Sequence, residues 1–87
     1  MEYYLYKYIT DAATTTVYGK PCFLHTITLN EAATGAITVK DGSTTIAIIK
    51  TSTAAQTFTY DVCLNTSLVV VTAQADDITI SYKPLQS

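Results

Sequence analysis

Few residues of this 87-residue chain could do chemistry, and their spacing gathers none of them into a recognisable site. His25 is the one histidine, and it stands among Phe23, Ile27 and Leu29 with no serine, cysteine or carboxylate fixed beside it by spacing. A lone imidazole in apolar company reads as a packed side chain at the rim of a core or at a subunit contact. The carboxylates that could gather are Asp76-Asp77, with Asp41 and Glu31 elsewhere. Calcium needs six or more oxygens, usually from one loop with closely spaced acidic positions, and no such loop exists here. Asp76 and Asp77 are therefore expected to solvate a turn and to guard the strand after it against wrong pairing.

Cys22 and Cys63 lack CxxC spacing, which leaves zinc without a ligand set. They read as two small thiols, with a single bridge as the alternative. Asn65-Thr66-Ser67 matches the glycosylation pattern, but a three-residue match is weak, and these residue types equally make a turn whose side chains satisfy their own backbone. Three glycines, at 19, 35 and 42, build no phosphate loop. The expectation is a chain that is not an enzyme and needs no metal or cofactor.

Charge narrows the partners. The five lysines are scattered at 7, 20, 40, 50 and 83, arginine is absent and the net charge is -2. A nucleic-acid surface requires a clustered basic face, so none is expected. No stretch approaches the roughly 18 apolar residues of a membrane helix. The N-terminal MEYYLYKYI has neither a basic leader nor an uninterrupted apolar region, so the chain is expected to stay where it is made or to leave within a larger particle. With 48% hydrophobic residues and a mean hydropathy of +0.23, it carries more apolar surface than one small monomer hides, which points to assembly with copies of itself.

The elements that must position these residues are strands. Seventeen threonines and seven tyrosines, with valine and isoleucine, weight the composition towards β-structure. In residues 2–9, Tyr4, Tyr6 and Tyr8 share one face, and Tyr3, Leu5, Lys7 and Ile9 the other. That segment is expected to be an N-terminal strand or arm whose rings contact a neighbouring subunit, because tyrosine combines a rigid apolar body with a polar tip. Residues 11–16 look like a loop or a poorly paired edge, leading through Val17 and Tyr18 into the turn at Gly19. Residues 22–30 alternate, which puts Phe23, His25, Ile27 and Leu29 on one face and Cys22, Leu24, Thr26 and Thr28 on the other. Ile37 and Val39 point inwards, Asp41-Gly42 signals a hairpin, and Ile46 and Ile48 share a face in the strand that follows.

Residues 58–72 form the expected centre. Phe58, Tyr60 and Val62 alternate with polar neighbours, a turn follows at Asn65, and the unbroken apolar run from Leu68 to Val71 fits a strand covered on both faces. Asp61, the polar intruder there, is expected to bond a turn backbone. Ile78, Ile80 and Tyr82 make the last alternating strand, which Pro84 stops. About seven strands with short turns and no helical period define a small all-β domain, an antiparallel β-sandwich that is either jelly-roll-like or immunoglobulin-like. The core tryptophan of the immunoglobulin signature is missing.

Several short motifs extend this reading. The succession of Leu24-His25, Ile27 and Asn30, then Ile37, Val39 and Asp41-Gly42, then Tyr60-Asp61-Val62, Leu68 to Thr72 and Asp77-Ile78-Thr79-Ile80-Ser81-Tyr82 resembles small β-sandwich structural proteins of tailed bacteriophages, the capsid decoration, cement or fibre-associated components. The match spans about residues 22–82, and Asn65-Thr66-Ser67 departs from it where such sequences often carry a glycine. The resemblance implies a virion protein, assembled in the host cytoplasm. It would be a homo-oligomer, a trimer by analogy, that stabilises the particle by binding the major capsid protein or another virion protein. Tyr3, Tyr4, Tyr6, Tyr8, Tyr18 and His25 are the expected interface. The alternative is a receptor- or carbohydrate-binding module of a tail or head fibre, with exposed rings such as Tyr18 or Tyr82 lining a groove. A further alternative, an immunoglobulin-like adhesive domain, requires a Cys22–Cys63 bridge.

Overall fold

A computed structural model describes residues 4–85. It contains eight strands and, among the described residues, no helix: β1 (Leu5–Ile9), β2 (Thr14–Tyr18), β3 (Cys22–Leu29), β4 (Ile37–Asp41), β5 (Thr44–Ile49), β6 (Thr57–Leu64), β7 (Leu68–Thr72) and β8 (Ile78–Pro84). They form two four-stranded antiparallel sheets, ordered β1-β8-β3-β6 and β2-β7-β4-β5. The pairing rule behind this order is simple. β1 pairs with β8, β2 with β7, β3 with β6 and β4 with β5, as in one long antiparallel hairpin. Rolling that hairpin brings β8 onto β3 and β7 onto β4. This is the jelly-roll order, so the immunoglobulin-like alternative is set aside.

The eighth strand is β2, where the sequence offers a loop or a poorly paired edge; the structure forms the edge. Thr14, Thr15 and Thr16 offer no apolar alternation, but they pair with Val71, Val70 and Val69 at the sheet edge, where polar side chains cost nothing. The core lies between the sheets. Leu24, Ile27, Leu29, Ile78 and Ile80 come from one sheet, and Ile37, Val39, Leu68 and Val70 from the other; all are buried. The 18 Å short dimension fits two sheets about 10 Å apart plus their outward side chains.

Residues 58–72 are only half of the expected centre. β7 is interior to its sheet and buries Leu68, Val70 and Thr72. β6 lies in the other sheet, at its edge, and Leu64 is its one buried residue. Alternation correctly orients β6, whose Phe58 and Tyr60 pack on the core, but it says nothing of lateral position.

Carboxylates hold both ends of the sandwich. Gly42, with φ of 63°, turns the β4–β5 hairpin together with Ser43, so Asp41 ends β4 and does not occupy the turn. Its carboxylate accepts the backbone N–H groups of Asn65 and Thr66 at 2.9 Å and of Ser67 at 3.4 Å. The β6–β7 turn is therefore satisfied by Asp41 and not by its own side chains. At the other end Asp76 is buried, contrary to the solvating role expected of it, and accepts from Thr34 N (2.7 Å), Thr34 Oγ1 (2.8 Å) and Gly35 N (3.2 Å).

Cys22 and Cys63 are free. Cys63 stands opposite Phe23 in the β3–β6 ladder, so it projects outwards while Cys22 is buried in the core. Burial pushes the Cys22 thiol up to about 11, with smaller contributions from Asp41 and Cys63. An immunoglobulin-like bridge is absent for this reason.

Candidate functional site

The outer face of the β1-β8-β3-β6 sheet gathers most of the residues singled out in the sequence, and a pair of bulges governs it. β3 has one residue more than β8 between the Leu24–Tyr82 and Thr26–Ser81 pairs, and that residue is His25. β6 has one residue more than β3 over the same interval, with Tyr60 and Asp61 facing His25. Asp61 takes up the excess with φ of 52°, a left-handed conformation that aspartate tolerates better than most residues.

The extra residue reverses the phase of β3. Cys22 and Leu24 point inwards before it, and Ile27 and Leu29 after it, so Phe23, His25, Thr26 and Thr28 line the outer side. The face of Phe23, His25, Ile27 and Leu29 expected from strict alternation does not exist. Period-two counting fails at a bulge because one residue is consumed without advancing the ladder.

His25 consequently has the carboxylate that spacing could not assign. Its Nδ1 donates to Asp61 Oδ1 at 2.6 Å, and Tyr4 stacks on its ring with centroids 4.3 Å apart and planes 12° from parallel. Asp61 bonds the imidazole and not a turn backbone. Tyr4 also lies 6.4 Å from Phe23, and the Lys83 ammonium is 6.0 Å from the centre of its ring. Together Tyr4, Phe23, His25, Asp61 and Lys83 close one end of the face.

Two rows of hydroxyls fill the rest. Tyr8, Thr79, Thr28 and Thr57 stand side by side on β1, β8, β3 and β6, and Tyr6, Ser81, Thr26 and Thr59 form the parallel row beside them. Thr28 and Thr57 share a hydrogen bond of 3.0 Å. At the far corner the Asn30 amide donates to Asp77 Oδ1 (3.0 Å) and Thr79 Oγ1 (3.2 Å). A hydrogen bond to Asp77, then desolvation and the charges of Asp77 and Glu31, raise the Tyr8 hydroxyl above the ordinary tyrosine value. Tyr6 and Tyr8 of β1, with Tyr4 just before it, border the face and are 75%, 54% and 46% exposed.

β1 is a strand of this sheet and not a detached arm. It pairs with β8 over its whole length, and Ile9 enters the core. Tyr4, Tyr6 and Tyr8 share the outer face as expected, and Tyr3 lies outside the described residues. Tyr18 is elsewhere: it is half-buried, packs on the core and meets the Tyr82 ring at 5.7 Å across the sandwich. Tyr82 is only 8% exposed, so these two rings line no open groove. Among the described residues no three histidine, cysteine, aspartate or glutamate side chains come close enough to hold a metal ion.

The other sheet presents a different outer surface. Val69 and Val71 are half-buried there, and Ile46 and Ile48 are exposed on β5. No known family, curated protein or solved structure matches this chain.

Proposed function

We propose that this chain is a non-enzymatic structural protein of a tailed-phage virion, a jelly-roll subunit that joins copies of itself through β1 and decorates or cements the capsid. One observation carries the assembly reading. Edge strands invite pairing with other chains unless something blunts them, and bulges do so by twisting the edge away. Of the four edge strands among the described residues, β2, β5 and β6 each contain an extra residue, at Val17, Ile46 and the Tyr60–Asp61 step. β1 pairs in unbroken register and keeps a regular outer edge. A neighbour adding a strand there would bond its backbone and pack against Leu5, Tyr6 and Tyr8. The virion assignment draws its support from the motif resemblance and from a fold class widely used in viral shells. The non-enzymatic reading draws on a sequence with no catalytic motif and on the Tyr4 ring stacked against the imidazole of the one imidazole–carboxylate pair.

Proline substitution separates edge pairing from folding. Successive residues of a strand aim their N–H groups at opposite edges, so of Tyr6→Pro and Lys7→Pro one removes a bond to β8 and the other faces the free edge. Sedimentation of the intact chain should give a concentration-dependent oligomer, whose mass also tests the trimer expected by analogy. One of the two proline variants should stay folded and become monomeric. A chain that is monomeric at every concentration sinks the assembly reading. Failure to detect the chain by mass spectrometry in purified virions sinks the assignment to a particle.

A further inference from the structure

We infer that the outer face of the β1-β8-β3-β6 sheet binds a neutral glycan chain. The inference does not rest on the assembly reading, because a strand added at β1 would lie beside Tyr6 and Tyr8 at that edge and leave the hydroxyl rows of β8, β3 and β6 open. Its middle row carries the first observation. The hydroxyls of Thr26, Thr59 and Ser81 stand in register on three adjacent strands and make no hydrogen bond to any described residue. Each hydroxyl both donates and accepts, and together they repeat at about 4.8 Å across the strands with the next row about 6.8 Å away. A ligand that bears hydroxyls along its length satisfies such an array, whereas an apolar ligand would strip water from it without return.

The border supplies the second observation. Tyr6 and Tyr8 flank the two rows as exposed rings, one beside Ser81 and the other beside Thr79. Aromatic rings beside a row of hydroxyls suit sugars, whose rings present C–H faces and hydroxyl edges to one surface. The Asn30–Asp77 pair at the corner is already oriented by its own hydrogen bonds and leaves the amide oxygen of Asn30 to accept.

Charge selects a neutral chain. Asp77 sits at one end of the face and Asp61 at the other, where Lys83 and His25 also lie, so the face gathers no excess of cations for a polyanion, and the chain as a whole carries -2. A protein partner finds better anchors on the opposite sheet, where Ile46, Ile48, Val69 and Val71 present apolar surface.

The test is an amide NMR titration of the whole chain with cellohexaose, maltohexaose and chitohexaose in turn. At least one sugar should shift resonances of β1, β3, β6 and β8 saturably, with a millimolar dissociation constant. Tyr6→Ala should weaken that binding by about tenfold, the worth of one aromatic contact. Thr26→Val with Ser81→Ala should weaken it severalfold while leaving the melting temperature unchanged, which separates lost hydroxyls from lost folding. Four results would overturn the inference. They are no saturable shift with any of the three sugars, shifts confined to the other sheet, variants that bind as the parent does, and shifts of this face that follow protein concentration without sugar, the mark of a second copy covering it.

Discussion

Replacing Asp76 by alanine removes the acceptor for three donors, and the cost can be built up from the structure. The Gly35 N–H bond is buried, so that donor is left without water; an orphaned buried group costs about 1–3 kcal/mol. The Thr34 N–H and hydroxyl bonds are part-buried and Thr34 itself is exposed, so water replaces much of what they lose. We assign each about 0.5 kcal/mol, the low end for a single bond. The sum is about 3 kcal/mol, out of a total stability on the order of 5–10 kcal/mol for a domain of this size. In a chain this short each kcal/mol moves the midpoint by roughly 4–8 °C, so the melting temperature should fall by about 12–24 °C.

Circular dichroism melts of the parent, Asp76→Ala and Asp76→Asn provide the assay. Asparagine keeps one acceptor oxygen but turns an NH2 group towards donors, so its midpoint should be lower than the parent's and no better than a few degrees above alanine's. An Asp76→Ala midpoint within about 3 °C of the parent's would refute the accounting. It would mean that water reaches Gly35 N, and that Asp76 only solvates a turn, as the sequence alone suggests.

Three further outcomes follow from the same kind of reasoning. Thr72 Oγ1 accepts from Ala13 N at 3.1 Å and donates to Asp11 O at 2.5 Å, so Thr72→Val should destabilise by about 1–2 kcal/mol in urea melts while preserving shape. The Asp41 carboxyl is held below its ordinary value chiefly by Asn65 N–H, then Thr66 N–H, with Ser67 N–H helping and desolvation opposing. Its stabilisation is thus complete above the unfolded carboxylate pKa of about 3.9 and is lost as pH falls through the lower folded value; Asp41→Asn should remove that limb from the pH–stability curve. Cys63 is exposed and Cys22 is buried with a raised pKa, so a thiol reagent at neutral pH should modify one equivalent in the folded chain and two in denaturant.

What the sequence discloses divides along physical lines. Strand positions follow from local alternation, so β3 to β8 and the inward Ile37, Val39, Ile78 and Ile80 are legible in it. Lateral order follows from contacts distant in the chain. That is why β6 reads as central yet lies at an edge, and why the threonines of β2 leave a loop and an edge strand undecided until Val69, Val70 and Val71 supply the ladder. The roles of Asp41 and Asp76 are hidden for the same reason, since each carboxylate serves a turn at least 24 residues away. The tyrosines of β1 are plain in the sequence. The hydroxyl rows beside them are not, because Thr26, Thr59 and Ser81 become neighbours only when three strands are brought into register.

The bulge at His25 is where the fold and the candidate face depend on one residue. With strict alternation through β3, Thr26 and Thr28 would face the core and Ile27 and Leu29 would face water. The outer rows would then lose their central column, and the core two of its largest fully buried side chains. One extra residue avoids both, but it must be accommodated by β6, and Asp61 does this in a left-handed conformation. The His25–Asp61 hydrogen bond ties the two irregular steps together on the outer surface, and Tyr4, just before β1, stacks on the imidazole. On this reasoning the pair is a positioning device. It sets the phase in which Thr26, Thr28, Thr57 and Thr59 align, and it blunts β6 as an edge while β1 stays regular.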